Sequence, residues 1–430
     1  MSLTAIISLW GNRLGAVAWD ETNNVGVFEF DPAFLKLGLD PAPLTMPIAN
    51  AKNRLFRFQQ NSGADSTFKG LPGLLANMMP DKYGNAIINT WLAAQGRTAD
   101  SLTPIETLCF IGKRGIGALE VEPGLREEDD KATHLELENL VEVANAILQH
   151  RLNFNADISH DEVSGLTDIL KIGTSAGGAR AKAIIVFNPK TGEVRSGQVD
   201  APKGFSHWIL KFDGVSDAQF GTSNGYGKVE MAYHLMARDA GIQMTECRLI
   251  NENGRAHFIT KRFDRDENGE KIHMQSLCAM RHFDFNLSGY FSYEQVFETM
   301  RMLHLPYPDA EQMFKRMVFN VLARNCDDHT KNFAFLMDKT GKWSLSPAFD
   351  VCYAYRPGSH WVSKQSLSIN GKRDNITKND LISVAQQMHI KKSPQIIDQI
   401  TTTIQNWNHY AEEVNVDTDL RELIQSNLLV

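Results

Sequence analysis

The apolar positions near the start of the chain come in short runs, Ile6 to Leu9, Ala16 to Trp19 and Val25 to Phe30, with turn residues between them. Such runs divided by turn signals predict strands. Further on, Phe68 to Leu75 leads into Pro80-Asp81-Lys82-Tyr83-Gly84, and the glycine-rich stretch Ile111 to Gly117 precedes Ala118-Leu119-Glu120-Val121. Together these features predict a small mixed α/β domain over residues 1–125, with its glycines serving turns. The charge run Glu127 to Lys131 marks a solvated boundary. Beyond it, Leu135, Leu137, Leu140, Val141, Val143, Ala144 and Ile147 recur at helical intervals, which predicts an amphipathic helix from Thr133 to Gln149.

Residues 126–290 read as strand-rich after that leading helix. Ala183 to Phe187 is a continuous apolar run, Asn188-Pro189-Lys190-Thr191-Gly192 is a turn, and Trp208 to Phe212 and Ala256 to Phe263 are further strands. Between them, Met231, Leu235 and Met236 set a helix from Lys228 to Ala240 that Gly241 ends. Residues 291–430 read as helical. Met313, Met317, Val318, Val321 and Leu322 give the segment Asp309 to Arg324 a buried face. Thr377 with Asp380 makes a capping pair, Ser393-Pro394 starts another helix, and Asp417 to Leu429 forms the last one. The pattern as a whole predicts an α+β chain with two lobes, strand-rich then helical, behind an N-terminal α/β domain. A cleft between lobes is the natural ligand site.

Composition narrows the function. Of 430 residues, 43% are hydrophobic and 22% charged, as in a globular protein. The net charge of -7 argues against a chain that wraps nucleic acid by itself. No run approaches the roughly 18 apolar residues that cross a bilayer, and Met1 to Leu14 has no signal-peptide pattern. The five cysteines are scattered, odd in number and without zinc-ligand spacing, which suits reduced thiols in the cytoplasm.

The sharpest cluster of chemistry is Asn325-Cys326-Asp327-Asp328-His329-Thr330-Lys331-Asn332, directly after the long helix. A carboxylate followed five residues later by an asparagine suits a kinase catalytic loop: Asp327 takes the substrate hydroxyl proton and Asn332 gives a neutral oxygen to Mg²⁺. Lys331 offsets charge on the moving phosphoryl group, and His329 stands in the same loop. Phe333 to Met337 and Trp343 to Ser346 bracket the turn Asp338 to Lys342, a hairpin that returns a second carboxylate, Asp350. Upstream, Gly173-Thr174-Ser175-Ala176-Gly177-Gly178-Ala179-Arg180-Ala181-Lys182 permits close backbone approach to phosphate, although it is neither a Walker A loop nor the usual kinase glycine loop. Lys211 on a strand and Glu230 on the following helix fit the lysine–glutamate pair that holds ATP phosphates.

The members of this set follow one another in the working order of a protein kinase. Three other readings compete: a metal-dependent hydrolase using Asp327, Asp328 and His329, a small-molecule kinase, and a catalytically dead binding module. A solvated turn is the structural alternative for the catalytic cluster.

At these residues the chain resembles the HipA family of toxin kinases from type II toxin–antitoxin systems. The resemblance is carried by Ser175 to Lys182, the strand with Lys211, Arg262-Phe263-Asp264-Arg265, Asn325 to Asn332, and Leu345-Ser346-Pro347-Ala348-Phe349-Asp350. Leu74-Leu75, Pro80-Asp81 and Gly115 to Glu120 look like the family's accessory domain. The resemblance implies a protein-kinase-like fold and ATP and Mg²⁺ as cofactors. It makes Asp327 the catalytic base, Asn332 and Asp350 the Mg²⁺ ligands, and Thr260 to Asp264, with Lys261, Phe263 and Asp264, the nucleotide hinge. It implies autophosphorylation of Ser175, which would silence the kinase, and a helix-turn-helix antitoxin of the HipB type that carries most operator DNA contacts. It also implies a translation-related protein substrate such as an aminoacyl-tRNA synthetase. The chain departs from shorter family members in an expanded region, Ala51 to Gly96, and in Lys261 at the hinge.

Overall fold

In the computed structural model of the chain, the described residues are 4–59, 67–98, 101–124, 135, 137–148, 180–197, 200–217, 221–222 and 224–430. They fall into two compact units: Met1–Asp40, Met46–Gly227 and Cys247–Met274 in the first, and Pro41–Thr45, Lys228–Glu246 and Gln275–Val430 in the second.

The first unit opens with strands β1 (Thr4–Leu9), β2 (Asn12–Asp20) and β3 (Val25–Phe30), joined later by β4 (Leu119–Glu122) in the order β3-β2-β1-β4. All three pairings are antiparallel. Side chains alternate across a strand, so Ala5, Ile7 and Leu9 of β1 are all buried on one side. Helices α1 (Gly73–Ala76), α2 (Lys82–Ala94) and α3 (Pro104–Ile111) follow β3. Asp81 caps α2 by accepting the Gly84 N–H, while Thr103 and Glu106 form a capping box at α3 with Pro104 in its first turn. The predicted amphipathic helix is present as α4 (Leu137–Leu148).

A second sheet holds β5 (Lys182–Phe187), β6 (Val194–Ser196), β7 (Ser206–Lys211), β10 (Cys247–Glu252) and β11 (Arg255–Lys261), in the order β10-β11-β7-β5-β6. The short pair β8 (Ser216–Asp217) and β9 (Gly221–Thr222) lies between β7 and the next helix in sequence. Strand β5 is buried along its whole length, which is why its sequence is a continuous apolar run rather than an alternating one. One face of this sheet, through Ala183, Ile185, Phe187, Trp208, Leu210 and Ile259, shares a single core with Tyr83, Ile87, Leu92 and Phe110 and with Leu140 and Ala144 of α4. Gly227 has no room for a side chain, since a Cβ there would meet the Ala256 carbonyl oxygen at 1.9 Å.

The second unit is mainly helical: α5 (Tyr226–Asp239), α6 (Leu277–Arg281), α7 (Tyr293–Met302), α8 (Tyr307–Leu322), α9 (Lys378–Gln387), α10 (Ser393–Gln405), α11 (Trp407–Glu413) and α12 (Thr418–Asn427). The predicted hairpin is β13 (Ala334–Met337) and β14 (Trp343–Leu345), which β12 (His273–Ser276) extends to three strands. Capping boxes start α7 at Ser292 and α9 at Thr377. Helix α8 ends at a left-handed Arg324, φ 57°, and the chain passes directly into the loop that carries the candidate chemistry. Fold class is thus α+β.

Candidate active site

In the second unit, residues 325–332 form a loop closed by a single 3₁₀ turn, Thr330–Asn332. The Asn332 side-chain amide donates to the Asp327 carbonyl oxygen at 2.7 Å. This bond uses the amide nitrogen and leaves the amide oxygen as the atom available to a cation. The Asp327 side chain is 48% exposed, and His329 Nε2 lies 3.8 Å from its Oδ1. Lys331 Nζ lies 4.2 Å from the centroid of Phe285, whose ring also lies 5.3 Å from that of His329. Thr330 anchors the turn by donating to the Phe283 carbonyl at 2.7 Å. The hairpin returns the chain as expected, and Asp350, at φ 52°, lines one small cavity together with Asn332 and Asp328.

Asp328 is the residue whose part the sequence does not reveal. It is 1% exposed, and three donors point at its carboxylate: the Tyr293 hydroxyl at 2.8 Å, Gln365 Nε2 at 3.2 Å and the Ser366 N–H at 2.6 Å. Asn320 in turn donates to the Tyr293 hydroxyl at 3.0 Å, and Asn325 Nδ2 donates to Asn320 Oδ1 at 3.0 Å. Burial pushes the Asp328 carboxyl up to about 7, against the opposing pull of the Tyr293 and Ser366 hydrogen bonds. A carboxylate committed in this way pins the loop from beneath and is not open to a metal. That removes one of the three ligands on which the hydrolase reading depends.

In the first unit, Lys182 and Lys211 are direct cross-strand partners of β5 and β7, and Phe258 of β11 pairs with Lys211 on its other side. Alternation puts these three residues on the face opposite Trp208, Leu210 and Ile259. Lys211 Nζ lies 5.7 Å from the Phe258 ring centroid. Lys182 is 4% exposed. At the predicted hinge, Lys261 is the last residue of β11, the Arg262 N–H donates to the His207 carbonyl, and Phe263 is partly buried. Asp264 faces inward. Arg262 grips it with two bonds at 2.8 and 2.7 Å, Arg265 with one at 3.0 Å, and the Gly117 N–H with one at 2.7 Å. Burial alone would raise its carboxyl, but the two guanidinium groups overcome this and hold it well below the usual carboxylate range. The Asp264 side chain therefore ties residues 262–265 to the Gly117 turn. Glu230, on α5, is buried in the second unit. Ser175, Gly177 and Gly178 lie outside the described residues.

Two protein families match the chain: the HipA N-terminal domain over residues 5–122 and the HipA-like C-terminal domain over residues 174–408. The chain belongs to the HipA family. Its fold is similar to that of HipA in the Shewanella oneidensis complex of HipA, HipB and operator DNA, with a TM-score of 0.68 over 99% of this chain and 96% of that one, at 16% identity. Two curated relatives match over shorter stretches. "Putative kinase Y4mE" of Sinorhizobium fredii is 26% identical over 125 residues, 27% of this chain. A "Putative kinase" of Haemophilus influenzae is 29% identical over 135 residues, 28% of this chain. The matched stretches span 30% and 39% of the lengths of those two relatives.

The HipA C-terminal match takes in the loop 325–332, Asp350, the two lysines and the hinge. Among the described residues of this HipA chain no helix is long and apolar enough to cross a membrane. Arg316, on α8, is a second residue whose part the sequence does not reveal. The buried face of that helix runs through positions 313, 316, 317, 320 and 321, and Arg316 and Asn320 are the polar members of it. Polar residues in an apolar stripe were the available signal for the network under the loop.

Proposed function

We propose that this chain is an ATP- and Mg²⁺-dependent serine/threonine protein kinase and the toxin of a type II toxin–antitoxin system. The loop carries this reading: Asn332 spends its amide nitrogen on the Asp327 carbonyl, which leaves its amide oxygen to a cation, and Asp350 is its neighbour around the same small cavity. An amide oxygen and a carboxylate are the donor types that a hard divalent cation takes. Bound by Asn332 and Asp350, Mg²⁺ would supply charge neutralisation for the phosphate oxygens of ATP.

The chain's own side chains do the rest. Asp327, whose side chain is half exposed, accepts the proton of the acceptor hydroxyl, with His329 beside it. Lys331 offsets negative charge where the phosphoryl group moves. Lys182 and Lys211, cross-strand partners of β5 and β7, are the lysines assigned to the ATP phosphates, and Glu230 is the carboxylate assigned to steady Lys211. The hinge from Thr260 through Lys261 and Phe263 to Asp264 holds the base through its main chain. The loop with Gly177 and Gly178 cradles the phosphates, and autophosphorylation of Ser175 there adds roughly two negative charges, which excludes ATP.

A helix-turn-helix antitoxin of the HipB type is the assigned partner, in keeping with the assembly of the Shewanella oneidensis HipA, and operator DNA is met mainly through it. The net charge of -7 agrees with that division of labour. The acceptor is a translation-related protein of the cytoplasm, of the aminoacyl-tRNA synthetase class. Expression in a growing bacterial host tests the reading: the wild-type chain arrests growth, and Asp327→Asn or co-expression of the antitoxin relieves the arrest. Phosphopeptide mapping of the wild type then finds Ser175 modified. Equal toxicity of Asp327→Asn, made to the same level, refutes the proposal.

A further inference from the structure

Helix α8 turns Arg316 inward, where it is 4% exposed. One arm of the guanidinium donates to the Ser346 carbonyl oxygen at 2.6 Å, while its Nε has no hydrogen-bond partner. The same cavity that Asn332 and Asp350 line is also lined by Arg316 and Asn325, and Asn325 Oδ1 is likewise buried without a partner. A buried donor and a buried acceptor left open on one cavity are costly, each by about 1–3 kcal/mol, unless something joins them. The cavity is about 10 Å³, which is at the size needed for a single water.

The segment that carries Asp350 needs outside support. Asp350 sits at φ 52°, a left-handed conformation that residues other than glycine adopt uncommonly, aspartate more readily than most. Helix α8 supplies three of the ties that hold this segment, the first of them Asp309, which accepts the Leu345 N–H at 3.0 Å. Arg316 fixes the Ser346 carbonyl. Gln312 accepts the Gln243 N–H and donates to the Gly241 carbonyl, both at 2.9 Å, and the Gln243 carbonyl accepts the Ala348 N–H at 2.8 Å. The Ser346 N–H adds a bond to Ala334 at 3.0 Å.

We propose that the cavity is a one-water site and that Arg316 is a positioning residue for the metal-binding face. The water accepts from Arg316 Nε and donates to Asn325 Oδ1, joining α8 to the catalytic loop, while the other arm of Arg316 sets the segment that ends in Asp350. This inference rests on the reading of Asn332 and Asp350 as metal ligands. Residues that orient metal ligands change metal affinity when replaced, by about 10-fold to 100-fold. Lysine keeps the charge of Arg316 but has no planar fork with which to serve Ser346 and the water together.

The test uses the full-length protein and Mn²⁺ as the probe, followed by electron paramagnetic resonance with a non-hydrolysable ATP analogue. Arg316→Lys and Arg316→Met should each weaken Mn²⁺ binding by about 10-fold. Affinity for the analogue without metal should stay within about twofold, a split that general loosening of the fold does not produce. A high-resolution crystal structure of the wild type should hold one water between Arg316 and Asn325. That water settles the site even where Arg316→Met fails to fold. Unchanged Mn²⁺ affinity in Arg316→Lys, with Asp350→Asn losing it, overturns this inference alone. A dry cavity also overturns it. Unchanged affinity in Asp350→Asn overturns the metal reading and this inference together.

Discussion

Replacing Asp328 by asparagine separates the two forces acting on the buried carboxyl. Burial raises its pKa to about 7, from an ordinary 3.8, while the hydroxyl of Tyr293, the amide of Gln365 and the N–H of Ser366 all favour the ionised form. The difference corresponds to about 4 kcal/mol of folding free energy. Because the folded chain keeps this proton to a higher pH than the unfolded chain does, the contribution is fully present below about pH 4. It declines by about 1.4 kcal/mol per pH unit and is lost as pH rises through about 7. Asparagine cannot ionise, and its mismatch with the three donors is the same at every pH. The assay is urea denaturation of wild type and Asp328→Asn at several values from about pH 5 to about pH 8, at constant ionic strength. Wild-type stability relative to the variant should fall by about 2 kcal/mol between about pH 5 and about pH 7. A difference that stays constant, or wild type gaining as pH rises, would refute the reasoning and mean that the three donors outweigh burial.

Tyr293→Phe removes the hydroxyl that links Asn320 to Asp328 and should cost about 1–3 kcal/mol in the same denaturation assay. Asp264→Ala leaves Arg262 and Arg265 buried without their shared partner and should cost about 3–5 kcal/mol, read as a lowered thermal midpoint. Because the Asp264 carboxyl is held low, that loss should be full at neutral pH and should shrink only as pH falls below about 4. Gly227→Ala forces a Cβ against the Ala256 carbonyl and should destabilise the chain by about 1–3 kcal/mol, seen as faster amide exchange at the start of α5.

Much of the fold was legible in the sequence because its signals are local. The apolar run Ala183 to Phe187 marks a strand buried on both sides, and Thr377 with Asp380 forms the capping box that the spacing implies. The turn at Asp338 to Lys342 joins the hairpin as expected, with strands at Ala334–Met337 and Trp343–Leu345. What escaped depends on long-range partners. Asp328 reads as one more polar residue of a loop until Tyr293, 35 residues before it, and Ser366, 38 residues after it, are brought against it. The part that the Asp264 side chain plays in the fold also depends on a distant partner: Arg262 and Arg265 hold its carboxylate together with a glycine 147 positions earlier. Arg316 was hidden by the apolar residues around it on α8, which alone suffice to predict the helix.

Transfer of labelled γ-phosphate from Mg-ATP decides whether the chain is a protein kinase. Wild type and Asp327→Asn are compared in dephosphorylated protein, with ATP binding measured in both. Label should appear on Ser175 or on an added acceptor protein in wild type and be lost in Asp327→Asn with ATP still bound. Undiminished transfer in the variant, or no transfer to any protein by a wild-type chain that binds ATP, would contradict this expectation.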